Sequence, residues 1–422
     1  MIAKLMKVSQ NGSSASIPSM GSCMFTQKYE SITNEGEKMK IGIFTDAYFP
    51  IISGVSTSIK TLSTELRKLG HEVYIITFNH PNETQEKFVI RIQGTSLPMK
   101  GLKEYSIAKV TRKKINELVQ LNLDLVHIHT EFTMGRLGRK FAKKHKIPIV
   151  HTYHTMYEDY IHFVTPVFKA TLRQFSKSYS KRFANSANEV VFPTIKVKRK
   201  FQEYGYKKDS HIVPTGIYLE KFRRINFKQS EIDEMKLKIG LTSSDFVLLF
   251  LGRLSREKSI VDLLTEFKKV HSKYPETKLV LVGGGPDGDY FTKKVEHLGL
   301  SDSVYFVGMV SPDEVASYYQ IADLFVNFST TETQGLTYIE ALASGVPLLV
   351  KYDDNLEGVI KNNINGFSFK NDEEFLGLFS KIYDNKVLLD EITANSSKSI
   401  ESFAADKYAK NILKIYETLV KK

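Results

Sequence analysis

Short apolar runs and amphipathic runs of helical period alternate along the chain from Lys40, and the alternation starts afresh near Asp245. "KIGIFTDAYFP" has the pattern of a buried strand, "SGVSTSIKTLSTELRKLG" that of an amphipathic helix closed by Gly70, and "HEVYIITF" that of a second strand. "LDLVHIHT", "RLGRKFAKKHK", "IPIVHTYHT" and "EVVFPT" continue the cycle. The second cycle opens at "DFVLLFLGRLSREKSIVDLLTEFKKVHSKYP" and runs through "KLVLVGGG", "VYFVGMV", "LFVNFS" and "VPLLVKY". Each cycle predicts a parallel sheet with helices on both faces. At 422 residues the chain exceeds what one core usually organises. The expectation is therefore an α/β fold of two facing Rossmann-like domains, residues 39–216 and 217–402, joined near Pro214 to Arg224. A terminal helix over 403–422 would pack back on the first domain. Residues 1–38, rich in Ser, Gly and Asn, read as a disordered leader.

In such sheets ligands bind beyond the carboxyl ends of the strands, so residues just after each apolar run are the candidates for function. "TETQGLTYIEALASG" carries Glu332 between a strand and a helix expected to begin at Gly335 or Leu336, with Glu340 eight positions further on. A helix start presents N–H groups and a positive dipole end to an anion or to hydroxyls. A nucleotide sugar, with two polyol parts joined by phosphates, suits that arrangement: Glu332 would take the sugar and Glu340 the ribose. Alone, the pair fits equally well a dipole partner and a surface helix residue. "FLGRLSREKS" adds Arg253 and Lys258, directly after a strand that ends at Gly252. A guanidinium fork and a compact ammonium suit a diphosphate whose leaving oxygen gains charge. Arg256 between them reads as surface.

"PIISGVSTS" places Ser53, Gly54 and Val55 between the first strand and its helix, where glycine lets the main chain approach a phosphate or sugar. "LVGGGPDGDY" is a similar turn, equally compatible with base contact and with a plain tight turn. His127 and His129, two positions apart, share one face of a strand, and His151 and His154 lie at the end of the next. A zinc site needs three or four convergent ligands, and neither H-E-x-x-H nor a cysteine partner to the single Cys23 is present in the sequence. His154, at a strand's carboxyl end, reads as a cleft residue for the transferred sugar or its acceptor. No nucleophilic Ser/His/Asp order or Walker loop is found.

Together these motifs resemble the retaining nucleotide-sugar glycosyltransferases of the GT-B fold, over about residues 39 to 420. The resemblance implies that Glu332 contacts the donor sugar, Glu340 the ribose, and Arg253 with Lys258 the diphosphate, with Gly54, Gly335 and Leu336 in the donor site and His154 beside the reacting sugar. It also implies a front-face displacement in which the donor phosphate helps to deprotonate the acceptor, without protein nucleophile or metal. "GIFTDAYFPIISGVSTSI", "HTYHTMYEDYIHF", "TETQGLTYIEAL" and "KYDDNLEGVI" are similar to bacterial diacylglycerol glucosyltransferases. That similarity implies UDP-glucose as donor substrate and diacylglycerol as acceptor. It further implies no tightly bound cofactor, and any stimulation by Mg2+ without a dedicated protein site. UDP-galactose as donor and a monoglycosyl lipid as acceptor stay open.

Charge adds a location. Residues 1–215 hold 33 Lys and Arg against 17 Asp and Glu, whereas residues 216–422 hold 26 against 30, so the whole basic excess lies in the first half. A one-sided basic field points to an extended anionic partner, nucleic acid or an anionic membrane surface. No RNA- or DNA-binding module is recognisable, which favours the membrane over nucleic acid, while a generic solubilising charge stays open. In "VFKATLRQFSKSYSKRF", Phe168, Leu172, Phe175, Tyr179 and Phe183 share one side of a helical wheel, and Lys169, Arg173, Lys177 and Lys181 step by four along the other. This is the composition of an interfacial helix on anionic phospholipid, and equally of a core helix with a solvated basic back. No run reaches the roughly 18 apolar residues of a spanning helix. The expectation is a peripheral protein on the cytoplasmic face of the membrane.

Overall fold

The computed structural model describes residues 38–420 except 84, 97–105, 109 and 159–168; residues 1–37 of the expected leader and Phe168 of the basic helix lie outside the described residues. From Lys38 onward the chain forms one compact unit around two parallel sheets. The first lobe contains β1 (Lys40–Phe44), β2 (Glu72–Phe78), β3 (Val89–Ile92), a small antiparallel pair β4 (Gly94–Ser96) and β5 (Ser106–Ala108), then β6 (Leu125–Ile128), β7 (Ile149–Thr152), β8 (Glu189–Phe192) and β9 (His211–Ile212). Its seven-stranded sheet runs β3-β2-β1-β6-β7-β8-β9. The second lobe holds β10 (Phe246–Leu251), β11 (Thr277–Val282), β12 (Val304–Gly308), β13 (Leu324–Asn327), β14 (Leu348–Lys351) and β15 (Gly366–Phe369), in the order β12-β11-β10-β13-β14-β15.

Each sheet is covered on both faces, which is why its strands are apolar at nearly every position rather than at every second one. In β1, Ile41 and Ile43 pack with Leu62, Leu66 and Tyr416, while Phe44 on the other face joins Val126, Ile128 and Phe141. In β10, Val247 and Leu249 meet Tyr338 and Leu342, and Leu248 and Phe250 meet Phe267.

Both strand orders reverse direction once, between β1 and β6 and between β10 and β13. Such a reversal splays the two following loops apart and leaves a crevice at the carboxyl ends of those strands. The loop after β1 leads into Gly54, the first residue of its helix, and that after β6 carries His129; the loops after β10 and β13 carry Arg253, Lys258 and Glu332. Topology thus collects the expected residues at two crevices.

The chain crosses between lobes twice, side by side. Ile217 forms a parallel bridge with Ala404: its N–H donates to Phe403 O at 2.9 Å, and its carbonyl accepts from Ala405 N at 3.0 Å. Beyond the second crossing, helix Ala405–Val420 inserts Tyr408, Ala409, Ile412, Ile415 and Tyr416 into the first lobe's core against helix Gly54–Lys68. The terminal helix returns to the first lobe as expected.

Candidate active site

The loop after β13 carries Glu332 and ends at helix Leu336–Ala343. Gly335, at the helix start, has φ 74°, and a Cβ there would lie 2.4 Å from the Tyr338 ring, so this turn admits only glycine. Glu332 reaches back to the loop after β10: its Oε1 accepts from Lys258 Nζ at 2.6 Å, with the two side chains 20% and 12% exposed. The carboxylate assigned to a sugar and the ammonium assigned to its diphosphate are therefore ion-paired to each other here. Glu340, further along the helix, accepts from the Tyr319 hydroxyl at 2.7 Å, and burial raises its pKa. Arg253 stands exposed just past Gly252. Arg256 lies over the Tyr290 ring and pairs with Asp287, away from Glu332, consistent with its reading as surface. The Gly283–Gly285 turn is used internally, since a Cβ on Gly283 would lie 1.9 Å from Gly252 O.

Across the crevice, Ser53 caps helix Gly54–Lys68 by accepting from Ser56 N, and Gly54 Cα faces Leu336: a Cβ there would lie 3.9 Å from Leu336 Cδ1. His154 meets the Glu332 loop through its main chain, its carbonyl accepting from the Thr333 hydroxyl at 2.7 Å. Gln334 and Thr215 exchange two bonds, Thr215 N to Gln334 Oε1 at 2.8 Å and Gln334 Nε2 to Thr215 O at 2.9 Å. Gly54 and His154 of the first lobe thus approach the segment from Glu332 to Leu336, whose Glu332 carboxylate is held by Lys258.

Behind His154 lies a buried row of imidazoles. His154 Nε2 is 2.8 Å from His129 Nδ1; His129 Nε2 is 3.2 Å from His127 Nδ1; and His127 meets the Tyr416 hydroxyl at 2.6 Å and Thr152 Oγ1 at 2.7 Å. Burial pushes His154 down to about 3 and holds His127 and His129 well below the usual imidazole range, so all three are neutral at pH 7. A neutral His154 can share hydrogen bonds with sugar hydroxyls without adding charge to the cleft.

This arrangement fixes the sign of a pH effect. In the unfolded chain these imidazoles take up protons below about pH 6.5, whereas folded His154 does so only near 3, so stability falls as pH drops through 6.5. Asp46, buried and raised to about 6, opposes this on the acid side, because it protonates earlier when folded. The urea unfolding free energy is expected to drop by on the order of 1 kcal/mol between pH 7.5 and 6.0. A flat or rising value over that interval would contradict neutral burial of the row.

The expected interfacial helix, Lys169–Ala184, divides into two parts. Phe183 is buried, and the Tyr179 hydroxyl donates to the carbonyl of Glu131, whose carboxylate also accepts from Tyr157 and meets His151 at 3.1 Å. These inner aromatics anchor the helix to the core. Phe175 is 67% exposed and Arg173 is also exposed, but Lys177 pairs with Glu158 at 3.3 Å and lies over the Tyr204 ring. Lys177 is therefore less available to an outside anion than the wheel suggested.

Comparison with known proteins follows the same division into lobes. Residues 52–221 match Glycosyltransferase Family 4, and residues 231–399 match Glycosyl transferases group 1. An alpha-monoglucosyldiacylglycerol synthase of Acholeplasma laidlawii is 37% identical over 397 residues, spanning 91% of this chain and 98% of that protein. The chain belongs to the group 1 glycosyltransferases. The alpha-monoglucosyldiacylglycerol synthase of Streptococcus pneumoniae is 36% identical over 382 residues, 90% of this chain and 85% of that one. Anabaena Alr3699/HepE in complex with UDP-glucose superposes with a TM-score of 0.71 over 90% of this chain and 100% of its own; at 17% identity the likeness is one of fold. That fold is GT-B.

In this group 1 glycosyltransferase, residues that sequence reasoning passed over also shape the cleft. Lys196 Nζ, from the first lobe, donates to the carbonyls of Thr330 at 2.8 Å and Glu332 at 3.0 Å and pairs with Asp353; Thr194 Oγ1 donates to Thr333 O at 2.8 Å. Lys196 stands in "IKVKRKF", whose alternating cations look like a solvated helix face, and nothing local distinguishes it.

Proposed function

We propose that this glycosyltransferase moves glucose from UDP-glucose to 1,2-diacylglycerol with retention of configuration, forming monoglucosyldiacylglycerol at a membrane surface. The carrying observation is the 37% identity to an alpha-monoglucosyldiacylglycerol synthase across both lobes, the one holding the expected acceptor residues and the one holding the expected donor residues. The geometry supports the donor side of this reading. Glu332 and Lys258 meet where the loops after β10 and β13 splay apart, as a sugar next to a diphosphate would require. In the proposed reaction Lys258 and Arg253 bind the diphosphate, Glu340 the ribose, and Gly335 and Leu336 the helix start between them. Glu332 holds the sugar, with His154 and Gly54 facing it from the other lobe. The leaving phosphate oxygen takes the acceptor's proton on the face it departs from.

The test is transfer of label from UDP-[14C]glucose to diacylglycerol in mixed micelles, with and without phosphatidylglycerol. A labelled monoglucosyl lipid, rising with anionic lipid, is the expected result. Label appearing only with UDP-galactose, or only with a glycolipid acceptor, would reassign donor or acceptor; label in neither would remove the lipid reading.

The membrane contact is proposed to run along the exposed start of helix Lys169–Ala184. None of the described helices is long and apolar enough to cross a membrane, so the contact would be peripheral. Each cation near an anionic surface contributes about 1 kcal/mol. Replacing Lys169, Arg173, Lys177 and Lys181 together by Gln is expected to weaken binding to phosphatidylglycerol vesicles by roughly 10- to 100-fold, less than four full contributions because Lys177 is engaged by Glu158. UDP affinity should not change. Undiminished co-sedimentation with vesicles would rule this face out.

A further inference from the structure

Helix Ile195–Glu203 begins at the lobe boundary, and its cations have unequal surroundings. Lys200 meets Glu203 one turn on, and Lys198 reaches Ser210 O within its own lobe. Arg199 and Lys196 both reach the other lobe, but Arg199 does so with its side chain half exposed, pairing with Asp354 at 3.0 Å and Glu357 at 3.5 Å, whereas Lys196 is largely buried there. An ammonium has three protons to donate, and three acceptors take them: the carbonyls of Thr330 and Glu332 and the carboxylate of Asp353. Lys196 and Asp353 are only 11% and 13% exposed, so this charge is largely removed from water and depends on those partners. Asp353 is itself fixed, its other oxygen accepting from Asp354 N at 2.8 Å. With Thr194 holding the carbonyl of Thr333, the main chain on both sides of the Glu332 side chain is set by the first lobe, while the carboxylate is held by Lys258 of the second.

We propose that Lys196 is a positioning residue for Glu332, drawing the Thr330 and Glu332 carbonyls to the first lobe so that the carboxylate takes its place only when the two lobes are together. When the lobes part, these carbonyls and the ammonium exchange their bonds for water, and the segment between β13 and helix Leu336–Ala343 loses its outer support. The catalytic consequence rests on the reading of Glu332 as the donor-sugar residue; the geometric one does not.

Lys196→Met keeps the aliphatic stem and removes all three donors. In the unliganded enzyme, amides of residues 328–336 are expected to exchange with deuterium about 10-fold faster, while those of β10 and β13 stay as protected as before. In glucosyl transfer kcat is expected to fall on the order of 100-fold, the usual cost of a small misplacement of a reacting group, with the KM for UDP-glucose within about threefold. The double variant Lys196→Met/Glu332→Gln should be no more than about twofold slower than Glu332→Gln alone, since residues acting as one unit do not add. Multiplying losses, or unchanged exchange over 328–336, would overturn the proposal. Asp353→Asn approaches the same clasp from the second lobe and is expected to give the same exchange pattern with about a 10-fold loss of kcat, which keeps the test decisive if Lys196→Met folds poorly. If the wild-type enzyme transfers no glucose, the proposed function fails on its own, and the exchange measurement still decides whether Lys196 sets the loop.

Discussion

Glu332→Gln is expected to lower kcat for glucosyl transfer by about 10²- to 10³-fold while leaving the fold intact. The substitution keeps size and shape, and the amide oxygen still offers Lys258 an acceptor at the 2.6 Å position, so thermal unfolding should shift little. What disappears is a full negative charge. As the bond from sugar to phosphate lengthens, positive charge develops on the sugar ring, and a carboxylate held beside it stabilises the transition state more than the ground state. The loss should therefore fall on kcat in single-turnover measurements rather than on donor affinity. Initial rates like those of the wild type in a folded variant would remove Glu332 from the mechanism.

Lys258→Ala is expected to reduce kcat/KM for UDP-glucose by on the order of 100-fold, by removing the cation proposed to stabilise the departing diphosphate. Its effect on nucleotide binding should be opposite in sign to that of Glu332→Gln. Lys258 Nζ donates to Glu332 Oε1 at 2.6 Å, so a diphosphate that took up the ammonium would compete with a carboxylate for it. Neutralising Glu332 lowers that competition and should tighten UDP binding by about threefold, in line with the modest worth of a partly exposed ion pair. Removing Lys258 should weaken it. Calorimetric titration of UDP into the two variants reads both signs, and a common direction of change would show that the pair does not exchange partners on binding.

The parts of this site legible in the sequence were those whose surroundings are local. Glu332, Gly335 and Leu336 lie within five residues at a strand-to-helix turn, and Lys258 follows its strand by seven, so the alternation of elements alone places them at the mouth of the second sheet. The two-lobed fold was legible for the same reason, since buried parallel strands have apolar runs that helical periods separate. What could not be read was whatever the two chain crossings bring together. Lys196 and Asp353 are 157 positions apart, His127 and Tyr416 are 289 apart, and neither member of either pair carries a local mark of its partner. Helix Lys169–Ala184 shows the same limit from the other side: its wheel gives one continuous aromatic stripe, but Glu131 and the core take Tyr179 and Phe183 and leave Phe175 outside.

The return of helix Ala405–Val420 also orders events during synthesis. Tyr408, Ile412 and Tyr416 fill space against Leu62, Leu66 and Ile43, so the first lobe's core stays open on that side until residues 405–420 have left the ribosome. At about 5–20 residues per second, the interval between completion of residue 216 and arrival of residue 405 is roughly 10 to 40 s. Through that interval the nascent first lobe exposes an apolar groove on helix Gly54–Lys68, a surface that chaperones bind and that neighbouring chains on the same message could occupy with a terminal helix of their own.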